Sequence, residues 1–369
     1  MTLTPRPGIL GIEPYVGGEA TIPGCNRVIR LASNENPLGP SPRAVAAYEA
    51  LAGDLQRYPD GGARELREAI ARTEGLDAGR IVCGAGSDEL IILLVRGYAG
   101  PGDEVLHSAH GFLMYPLAAK SVYARPIAAP EKNLTADVDA LLARVTGKTR
   151  ILFLANPNNP TGSYLPEAEL RRLRDGLPGN VLLVIDAAYA EYVTEADYEA
   201  GARLVEDYDN LVMTRTFSKI YGLASLRLGW AYCPAAVAGV LNRLRGPFNV
   251  SQAAQAAGVA ALGDQDHVAR SREHNARWRA WFIERVAACG LEPVPSAANF
   301  VLVRFAEAPG RGADAALEHL KDHGILVRRM AAYGLPDSLR ITIGSEEETR
   351  AAADALEDFA ARAATGAEA

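Results

Sequence analysis

Short apolar runs alternate with longer amphipathic segments through the middle of this chain, and this alternation restricts its fold more than any other feature. The apolar runs predict strands at residues 81–83, 104–107, 151–154, 181–185 and 211–214. The intervening segments predict helices at residues 87–98, 138–144 and 167–175. Strands that alternate with helices on this scale form a mainly parallel sheet covered by helices on both faces. We therefore predict an α/β fold.

The last third of the chain has a different pattern. A long run of helical character reaches Cys289, and strands follow at residues 299–305 and 339–343 with a helix between them. A chain of 369 residues exceeds the size at which one hydrophobic core usually keeps growing. We therefore expect two domains and an N-terminal arm. The divisions are residues 1–45 for the arm and part of the small domain, 46–250 for the large domain, and 251–369 for the small α+β C-terminal domain.

Charge and apolar content argue against several classes of protein. The net charge of −7 and the pI near 5.5 disfavour a nucleic-acid or acidic-membrane partner, which would need a concentrated basic face. No apolar run reaches membrane-spanning length, and residues 1–7 lack the apolar segment of a secretory signal. The four cysteines lie far apart without a Cys-x-x-Cys pair, which is typical of reduced thiols in the cytosol. We expect a cytoplasmic protein.

Two histidines lie four residues apart in an apparently helical stretch, a spacing that places two side chains on one helix face. They are His319 and His323. No glutamate follows the first histidine as it does in zincins, and Glu318, Lys321 and Asp322 predict a solvated face. We therefore expect no metal site in this chain.

Lys219 follows a predicted strand, within the segment Thr-Arg-Thr-Phe-Ser-Lys at residues 214–219. A lone lysine in such a place is more often a solvated surface residue. Here the hydroxyls of Thr216 and Ser218 flank it, and Arg227 follows eight residues later. A lysine amine forms Schiff bases with aldehydes, whereas hydroxyls and an arginine suit a phosphate dianion. Together they predict a site for an aldehyde that carries a phosphate, namely pyridoxal phosphate.

Asp186 ends the predicted strand at residues 181–185, and Tyr189 lies three residues further on. By itself, Asp186 is equally well explained as a helix cap. A pyridine ring acts as an electron sink only while its nitrogen is protonated, and a buried carboxylate enforces that state. Asp186 is therefore a candidate partner of the pyridine nitrogen, and Tyr189 is a candidate donor to the phenolic oxygen of the ring.

Two loops follow other predicted strands. Residues 155–162 read Ala-Asn-Pro-Asn-Asn-Pro-Thr-Gly, which a plain turn explains, although the amide nitrogen of Asn159 could also bind the phenolic oxygen. Residues 83–89 read Cys-Gly-Ala-Gly-Ser-Asp-Glu, a glycine loop at a helix start whose backbone amides suit phosphate. Because Glu89 replaces the third glycine of a dinucleotide fingerprint, phosphate binding by residues 86–88 is favoured over NAD binding.

Several segments also match known motifs in wording and order. Residues 34–42 read N-E-N-P-L-G-P-S-P, residues 57–60 read R-Y-P-D, and residues 339–344 read L-R-I-T-I-G. Two further motifs match: N-N-P-T-G at residues 158–162 and the S-K…L-R block at residues 218–227. Together they resemble the fold-type I aminotransferases, and most closely the histidinol-phosphate aminotransferase family, over nearly the whole chain. The resemblance implies that the large domain binds the cofactor.

The resemblance implies a role for each candidate residue around pyridoxal 5'-phosphate. Lys219 is expected to form the Schiff base and to move the proton between the substrate Cα and the cofactor C4′. Asp186 is expected to pair with the pyridine nitrogen, while Asn159 and Tyr189 bind the phenolic oxygen. Phe112 is expected to stack on the ring. The residues expected around the cofactor phosphate are Gly86, Ser87, Asp88, Thr216, Ser218 and Arg227.

The resemblance also implies how substrates and a second subunit meet the site. Tyr58 is expected to reach the cofactor phosphate of the neighbouring subunit, which would make the active unit a homodimer. Arg340 is expected to hold the carboxylate of glutamate and 2-oxoglutarate. Arg328, with Tyr15 and Asn34, is expected to contact the distal group of the substrate, including the phosphate of histidinol phosphate. The implied reaction is a ping-pong transamination in histidine biosynthesis.

Two positions depart from the family's pattern. Ala85 replaces the asparagine of G-N-G-S-D-E, and we expect this to shift a local hydrogen bond without loss of cofactor binding. The ring-stacking segment reads His110-Gly111-Phe112 where the family frequently has P-T-[FY]. The aromatic side chain is retained, but His110 leaves the loop geometry and the substrate range open.

The cofactor residues do not discriminate among relatives. An aromatic amino acid aminotransferase would share them, and Arg328 and Arg340 fit either a phosphate-bearing substrate or paired carboxylates. We favour histidinol phosphate. A lyase resembling threonine-phosphate decarboxylase stays open, and carbon dioxide release would reveal it. A non-catalytic cofactor-binding module, such as the sensor half of a transcription regulator, is disfavoured because no basic DNA-binding domain fits before Asn34.

Overall fold

The architecture comes from a computed structural model of the chain, which describes residues 3, 5–6, 8–14, 17, 19–25, 27–306 and 308–365. Tyr15, a predicted substrate contact, lies outside the described residues. The α-helices are α1 (Pro42–Glu49), α2 (Arg64–Glu74), α3 (Ser87–Tyr98), α4 (Met114–Ser121), α5 (Val138–Ala143), α6 (Glu167–Gly176), α7 (Ala202–Asp207), α8 (Ala235–Leu244), α9 (Gln252–Leu262), α10 (Gln265–Ala288), α11 (Ala313–Asp322) and α12 (Glu346–Thr365). Over the described ranges, no helix combines the length and apolar character needed to cross a membrane.

Four sheets account for the strands of the described chain. The strands are β1 (Ile29–Arg30), β2 (Ile81–Gly84), β3 (Glu104–Ser108), β4 (Arg125–Ala129), β5 (Glu131–Lys132), β6 (Thr135–Ala136), β7 (Thr149–Ala155), β8 (Leu182–Asp186), β9 (Leu211–Thr216), β10 (Gly229–Tyr232), β11 (Glu292–Pro293), β12 (Phe300–Arg304), β13 (Ile325–Leu326), β14 (Arg328–Arg329) and β15 (Ser338–Thr342). Short 3₁₀ turns lie at Ile9–Gly11, Ala78–Arg80, Ala190–Tyr192, Ala224–Leu226 and Ala331–Tyr333.

The central sheet has seven strands in the order β2-β10-β9-β8-β7-β3-β4. The run from β9 to β4 is parallel, and β10 lies antiparallel to both of its neighbours. Helices cover both faces, because the crossover between parallel strands has to return along a face of the sheet. The predicted mainly parallel α/β fold is confirmed. The antiparallel strand β10 was not predicted, since its four residues carry no periodic signal that distinguishes them from a loop.

The apolar residues form separate cores on the two faces of the central sheet and a third core around the four-stranded sheet β11-β12-β15-β14. Helix α10 packs against α12 over this third core, where Phe282, Val301 and Leu356 are buried. Helix α9 contributes Ala254 and Ala257 to the first core, so buried packing around the central sheet continues past residue 250. The domain divisions at residues 45 and 250 stay a prediction.

Candidate active site

One cavity of about 330 Å³ opens at the carboxyl ends of the central parallel strands, where ligands bind in folds of this kind. The four-stranded sheet and the segment at residues 32–35 close its other side. The predicted site residues that line it are Asn34, Ser87, Asp88, Phe112, Asn159, Asp186, Tyr189, Thr216, Ser218, Lys219, Arg227, Arg328 and Arg340. Residues far apart in the sequence therefore share one cavity.

Lys219 projects into this cavity just beyond the end of β9. Its Nζ donates to the Ser33 carbonyl at 3.1 Å and lies 5.8 Å from the centroid of the Tyr189 ring. Burial, and then the nearby Arg340 cation, lower the pKa of the Lys219 amine to about 8. A substantial fraction of the amine is therefore neutral and nucleophilic slightly above neutral pH, as Schiff-base chemistry requires.

Asp186 is the last residue of β8 and is buried. Its carboxylate accepts hydrogen bonds from the Tyr115 hydroxyl at 2.8 Å and the Thr214 hydroxyl at 3.1 Å. Burial raises the pKa of the Asp186 carboxyl to about 6, although both hydrogen bonds act in the opposite direction. A carboxylate that is hard to ionise alone is stabilised by a cation placed beside it, so this position suits a protonated ring nitrogen.

Tyr115 is a functional residue that the sequence did not identify. It is fully buried in α4, stacks on Phe153 with ring centroids 4.6 Å apart, and meets Phe112 edge-on at 5.9 Å. Its hydroxyl reaches across to Asp186 from a segment 71 residues earlier. The available signal was its position three residues after Phe112, which lies just before α4.

An anion site lies at the start of α3. The helix begins at Ser87, directly after Gly86, whose φ is 85°. Arg227 donates to the Asp88 carboxylate at 3.1 Å and to the Ser218 hydroxyl at 3.4 Å. A Cβ at Gly86 would lie 2.5 Å from an Arg227 guanidinium nitrogen, so glycine is required for this approach. Free N–H groups at the helix start, a guanidinium and hydroxyls together suit a phosphate.

The opposite wall of the cavity is formed through long-range hydrogen bonds. Arg340 in β15 donates to the Asn159 side-chain oxygen and, at 2.7 Å, to the Ala32 carbonyl. This contact fixes the orientation of the Asn159 amide, so that its NH2 group is the part that can donate to a ligand. The Asn34 amide donates to the Tyr189 hydroxyl at 2.9 Å, and burial raises the pKa of Tyr189. The Tyr189 hydroxyl thus keeps its proton available.

Two arginines of this wall are direct cross-strand neighbours. Arg328 in β14 pairs with Arg340 in β15 in the antiparallel register, and both line the cavity. Side chains at directly opposed positions project from the same face of a sheet, and like charges there repel each other. An anionic ligand between or beside the two guanidinium groups offsets that repulsion. The wall is therefore suited to carboxylate or phosphate groups.

Other predicted positions lie elsewhere. Tyr58 is 82% exposed and stacks on Phe248 with ring centroids 4.7 Å apart, away from the cavity residues of its own chain.

The His110 ring lies 2.7 Å from the Tyr333 carbonyl, and Tyr333 lines the cavity although the sequence did not single it out. The backbone N–H of Ala85 donates to Glu89, so the loop keeps a local hydrogen bond at the position that lacks asparagine.

A family profile described as aminotransferase class I and II matches residues 26–356. The chain belongs to this family. Two aminotransferase relatives, both named histidinol-phosphate aminotransferase, come from Rhodospirillum centenum and Paramagnetospirillum magneticum. They are 62% and 59% identical to the chain and each covers 96% of it, with 98% of each relative aligned.

A solved aminotransferase structure is also similar. It is the histidinol-phosphate aminotransferase of Sinorhizobium meliloti in complex with pyridoxal-5'-phosphate, which is 31% identical, covers 97% of both chains and has a TM-score of 0.88. The resemblance to fold-type I aminotransferases inferred from the sequence is therefore confirmed.

Proposed function

We propose that this chain is a histidinol-phosphate transaminase that uses pyridoxal 5'-phosphate. It transfers the amino group of histidinol phosphate to 2-oxoglutarate, which gives imidazole-acetol phosphate and glutamate, or it catalyses the reverse reaction. This exchange is a step of histidine biosynthesis. The observation that carries the proposal is the single cavity that holds Lys219, Asp186, an anion site and two paired arginines. The high identity to relatives of that name supports the same substrate. We further propose that the enzyme acts in the cytoplasm.

The cavity offers a partner for each polar group of pyridoxal phosphate. Lys219 suits the aldehyde and Asp186 the ring nitrogen, while Asn159 and Tyr189 suit the phenolic oxygen. The phosphate suits the start of α3, where Arg227 lies against the bare Gly86 backbone. The donor set therefore fits the cofactor.

When bound, pyridoxal phosphate supplies an electron sink that stabilises the carbanion left after substrate Cα loses a proton. Asp186 holds a proton at the ring nitrogen, because its buried carboxylate needs a neighbouring cation. With the cofactor bound, Lys219 would take the proton from the substrate Cα and deliver it to the cofactor C4′, since its amine has a pKa of about 8. Tyr189 donates its hydroxyl proton as a hydrogen bond and keeps the phenolic oxygen oriented.

Substrate selection rests on the paired arginines. Arg340 is buried and held by Ala32 and Asn159, so its planar fork is fixed for a carboxylate. Arg328 is only partly buried and lies one strand further out, which suits the distal group of a longer substrate. Histidinol phosphate carries no carboxylate but does carry a distal phosphate, whereas glutamate carries two carboxylates. Two adjacent arginines serve both substrates in turn.

We also propose that the active unit is a homodimer to which Tyr58 contributes across the interface. Tyr58 is 82% exposed, and further large apolar side chains are exposed near it in the sequence or in space, namely Tyr48, Leu55 and Phe248. A soluble chain rarely leaves such a group in water unless another surface covers it.

Light scattering at micromolar concentration should give twice the chain mass, and Tyr58→Phe should weaken cofactor retention about tenfold. A monomeric, fully active enzyme would contradict this proposal.

Substrate choice is tested by steady-state kinetics of the cofactor-loaded protein. Histidinol phosphate, phenylalanine and threonine phosphate are each paired with 2-oxoglutarate, and glutamate and carbon dioxide are measured. The proposal expects the largest kcat/KM for histidinol phosphate. A larger value for phenylalanine would identify an aromatic aminotransferase, and carbon dioxide released from threonine phosphate would identify a lyase.

A further inference from the structure

A second cluster of ligating side chains lies outside the active-site cavity, where the last two helices pack together. His319 lies in α11 and His323 directly follows it, while Asp358 lies in α12. One ligand atom of each residue lies within 4.8 Å of the others. The sequence predicted no metal site here, because no zincin glutamate follows His319 and the neighbouring residues indicate a solvated face. The third residue lies 35 positions beyond His323, and the packing of α11 on α12 brings it close.

We propose that His319, His323 and Asp358 bind one divalent transition-metal ion, of which zinc is the natural candidate. Imidazole nitrogens and a carboxylate are ligands that Zn²⁺ accepts, with water completing the coordination of a three-residue site. The ion would join α11 to α12. None of the three residues lines the active-site cavity, so this role is separate from the proposed catalysis.

The spacing of two ligand atoms already fits such an ion. His319 Nε2 lies 3.3 Å from the Asp358 Oδ2 atom. Two ligands that are each about 2.0–2.1 Å from a tetrahedral zinc lie roughly 3.3 Å apart. The third ligand, His323, is exposed, and its ring has to move by at most about 1.5 Å to bring its ligand atom from within 4.8 Å to that spacing. The arrangement needs no rebuilding of the backbone.

A backbone hydrogen bond orients the His323 ring for coordination. His323 Nδ1 lies 2.8 Å from the His319 carbonyl, which requires the proton on Nδ1 and leaves Nε2 with a lone pair. Such backbone contacts fix the tautomer of metal-binding histidines. His323 can therefore offer its Nε2 lone pair to an ion.

The burial of the facing atoms points to a cation between them. His319 Nε2 and Asp358 Oδ2 are both buried, and within the described chain neither has a hydrogen bond of good geometry. Two lone pairs that face each other at 3.3 Å repel unless a proton or a metal ion lies between them. A divalent ion within reach of both atoms satisfies them together.

Arg362 is the competing cation. Its guanidinium lies 2.9 Å from Asp358 Oδ2 and is 68% exposed. An exposed surface ion pair contributes little, so a metal ion that shares or displaces this contact loses little stabilisation. Arg362 therefore weakens metal binding without preventing it. Removing its charge should strengthen binding, whereas removing a ligand should weaken it.

The test uses the full-length, cofactor-loaded protein without an affinity tag, stripped of metal by a chelator. Titration with Co²⁺ should give a saturable visible absorption band at one ion per chain, and Zn²⁺ should abolish the band. Zn²⁺ should also raise the Tm of the wild-type protein by several degrees, because the ion links two helices of the folded state only. Transaminase activity serves as a check that the fold is intact.

Variants separate the site from general surface binding. His323→Gln, His319→Gln and Asp358→Asn should each weaken Co²⁺ binding at least tenfold and remove the Tm rise. Arg362→Gln should tighten binding several-fold. Asp322→Asn removes the same charge from an exposed position next to His323 and should leave binding unchanged. Absence of saturable binding, or binding that survives in the ligand variants as in Asp322→Asn, would overturn the proposal and leave a histidine–carboxylate ion pair.

Discussion

The two walls of the active-site cavity are built in different ways. The wall formed by the central sheet takes its residues from the carboxyl ends of parallel strands and the loops that follow them. Asp186 is the last residue of β8, and Lys219 lies three residues after β9. The other wall depends on contacts between distant segments. Asn34 bonds to Tyr189 across 155 positions, and Arg340 bonds to Asn159 across 181 positions. We propose that the first wall carries the transamination chemistry and that the second carries the choice of substrate.

The largest effect expected in the sheet wall is that of Lys219→Ala. It removes both the covalent attachment point and the residue that moves the Cα proton, so turnover should fall by more than about 10⁴-fold. Steady-state kinetics and the absorbance of the bound cofactor measure this. Lys148→Ala, at an exposed position, is the control and should behave as wild type. Turnover within tenfold of wild type for Lys219→Ala would refute the assigned role.

Asp186→Asn should lower kcat by about 10²–10³-fold, because a neutral amide of the same size no longer holds a proton at the ring nitrogen. The fold should persist, since the amide can still hydrogen-bond to Tyr115 and Thr214. Both amino donors should lose activity to the same extent. A loss confined to histidinol phosphate would place Asp186 in substrate recognition and break the division between the walls.

The wall that holds Arg328 and Arg340, called the arginine wall below, should affect the two substrates differently when it is mutated. Arg340→Gln removes the buried guanidinium assigned to a carboxylate, so kcat/KM should fall about 10- to 100-fold for glutamate and less for histidinol phosphate, which carries no carboxylate. Arg328→Gln should reduce kcat/KM for histidinol phosphate by a similar factor, mainly through KM, and affect glutamate less. The ratio of the two kcat/KM values for each variant measures this. Equal losses for both substrates in both variants would mean that the arginines act as one unit.

The pH dependence links the two walls. Because the pKa of Lys219 is lowered to about 8, the rate of covalent cofactor attachment to the apoprotein should rise about tenfold per pH unit below pH 8 and level off above it. Stopped-flow absorbance between pH 6 and 10 measures this. Arg340→Gln should move the midpoint to higher pH, since the Arg340 cation helps to lower this pKa. An unchanged midpoint would mean that burial alone sets it.

The smallest effect expected is that of Tyr115→Phe. It removes one of two hydrogen bonds to Asp186, so the carboxylate becomes harder to ionise and kcat should fall about two- to tenfold. Tyr115 should not change the relative preference for substrates, because it lies behind the sheet wall. Kinetics with both amino donors check this, and Tyr98→Phe, a partly buried tyrosine of α3, is the control.

This contrast between the walls also explains what the sequence could predict. Lys219 and Asp186 were identifiable because carboxyl ends of parallel strands meet at one edge, so residues directly after two strands must be neighbours. The register that sets Arg328 opposite Arg340 depends on how two short strands align, and no local pattern encodes it. Tyr115 and Asp358 were missed for the same reason, since each acts through helix packing with a partner far away in the sequence.

We propose that the sheet wall binds pyridoxal phosphate through Lys219 and that the arginine wall selects histidinol phosphate. The most direct test is a single-turnover spectrum of the cofactor-loaded protein, mixed separately with histidinol phosphate and with phenylalanine at equal concentration. We predict rapid loss of the lysine-bound cofactor band with histidinol phosphate and little change with phenylalanine. Rapid loss with phenylalanine alone would contradict the substrate assignment, and an absent band in the loaded wild-type protein would contradict the role of Lys219.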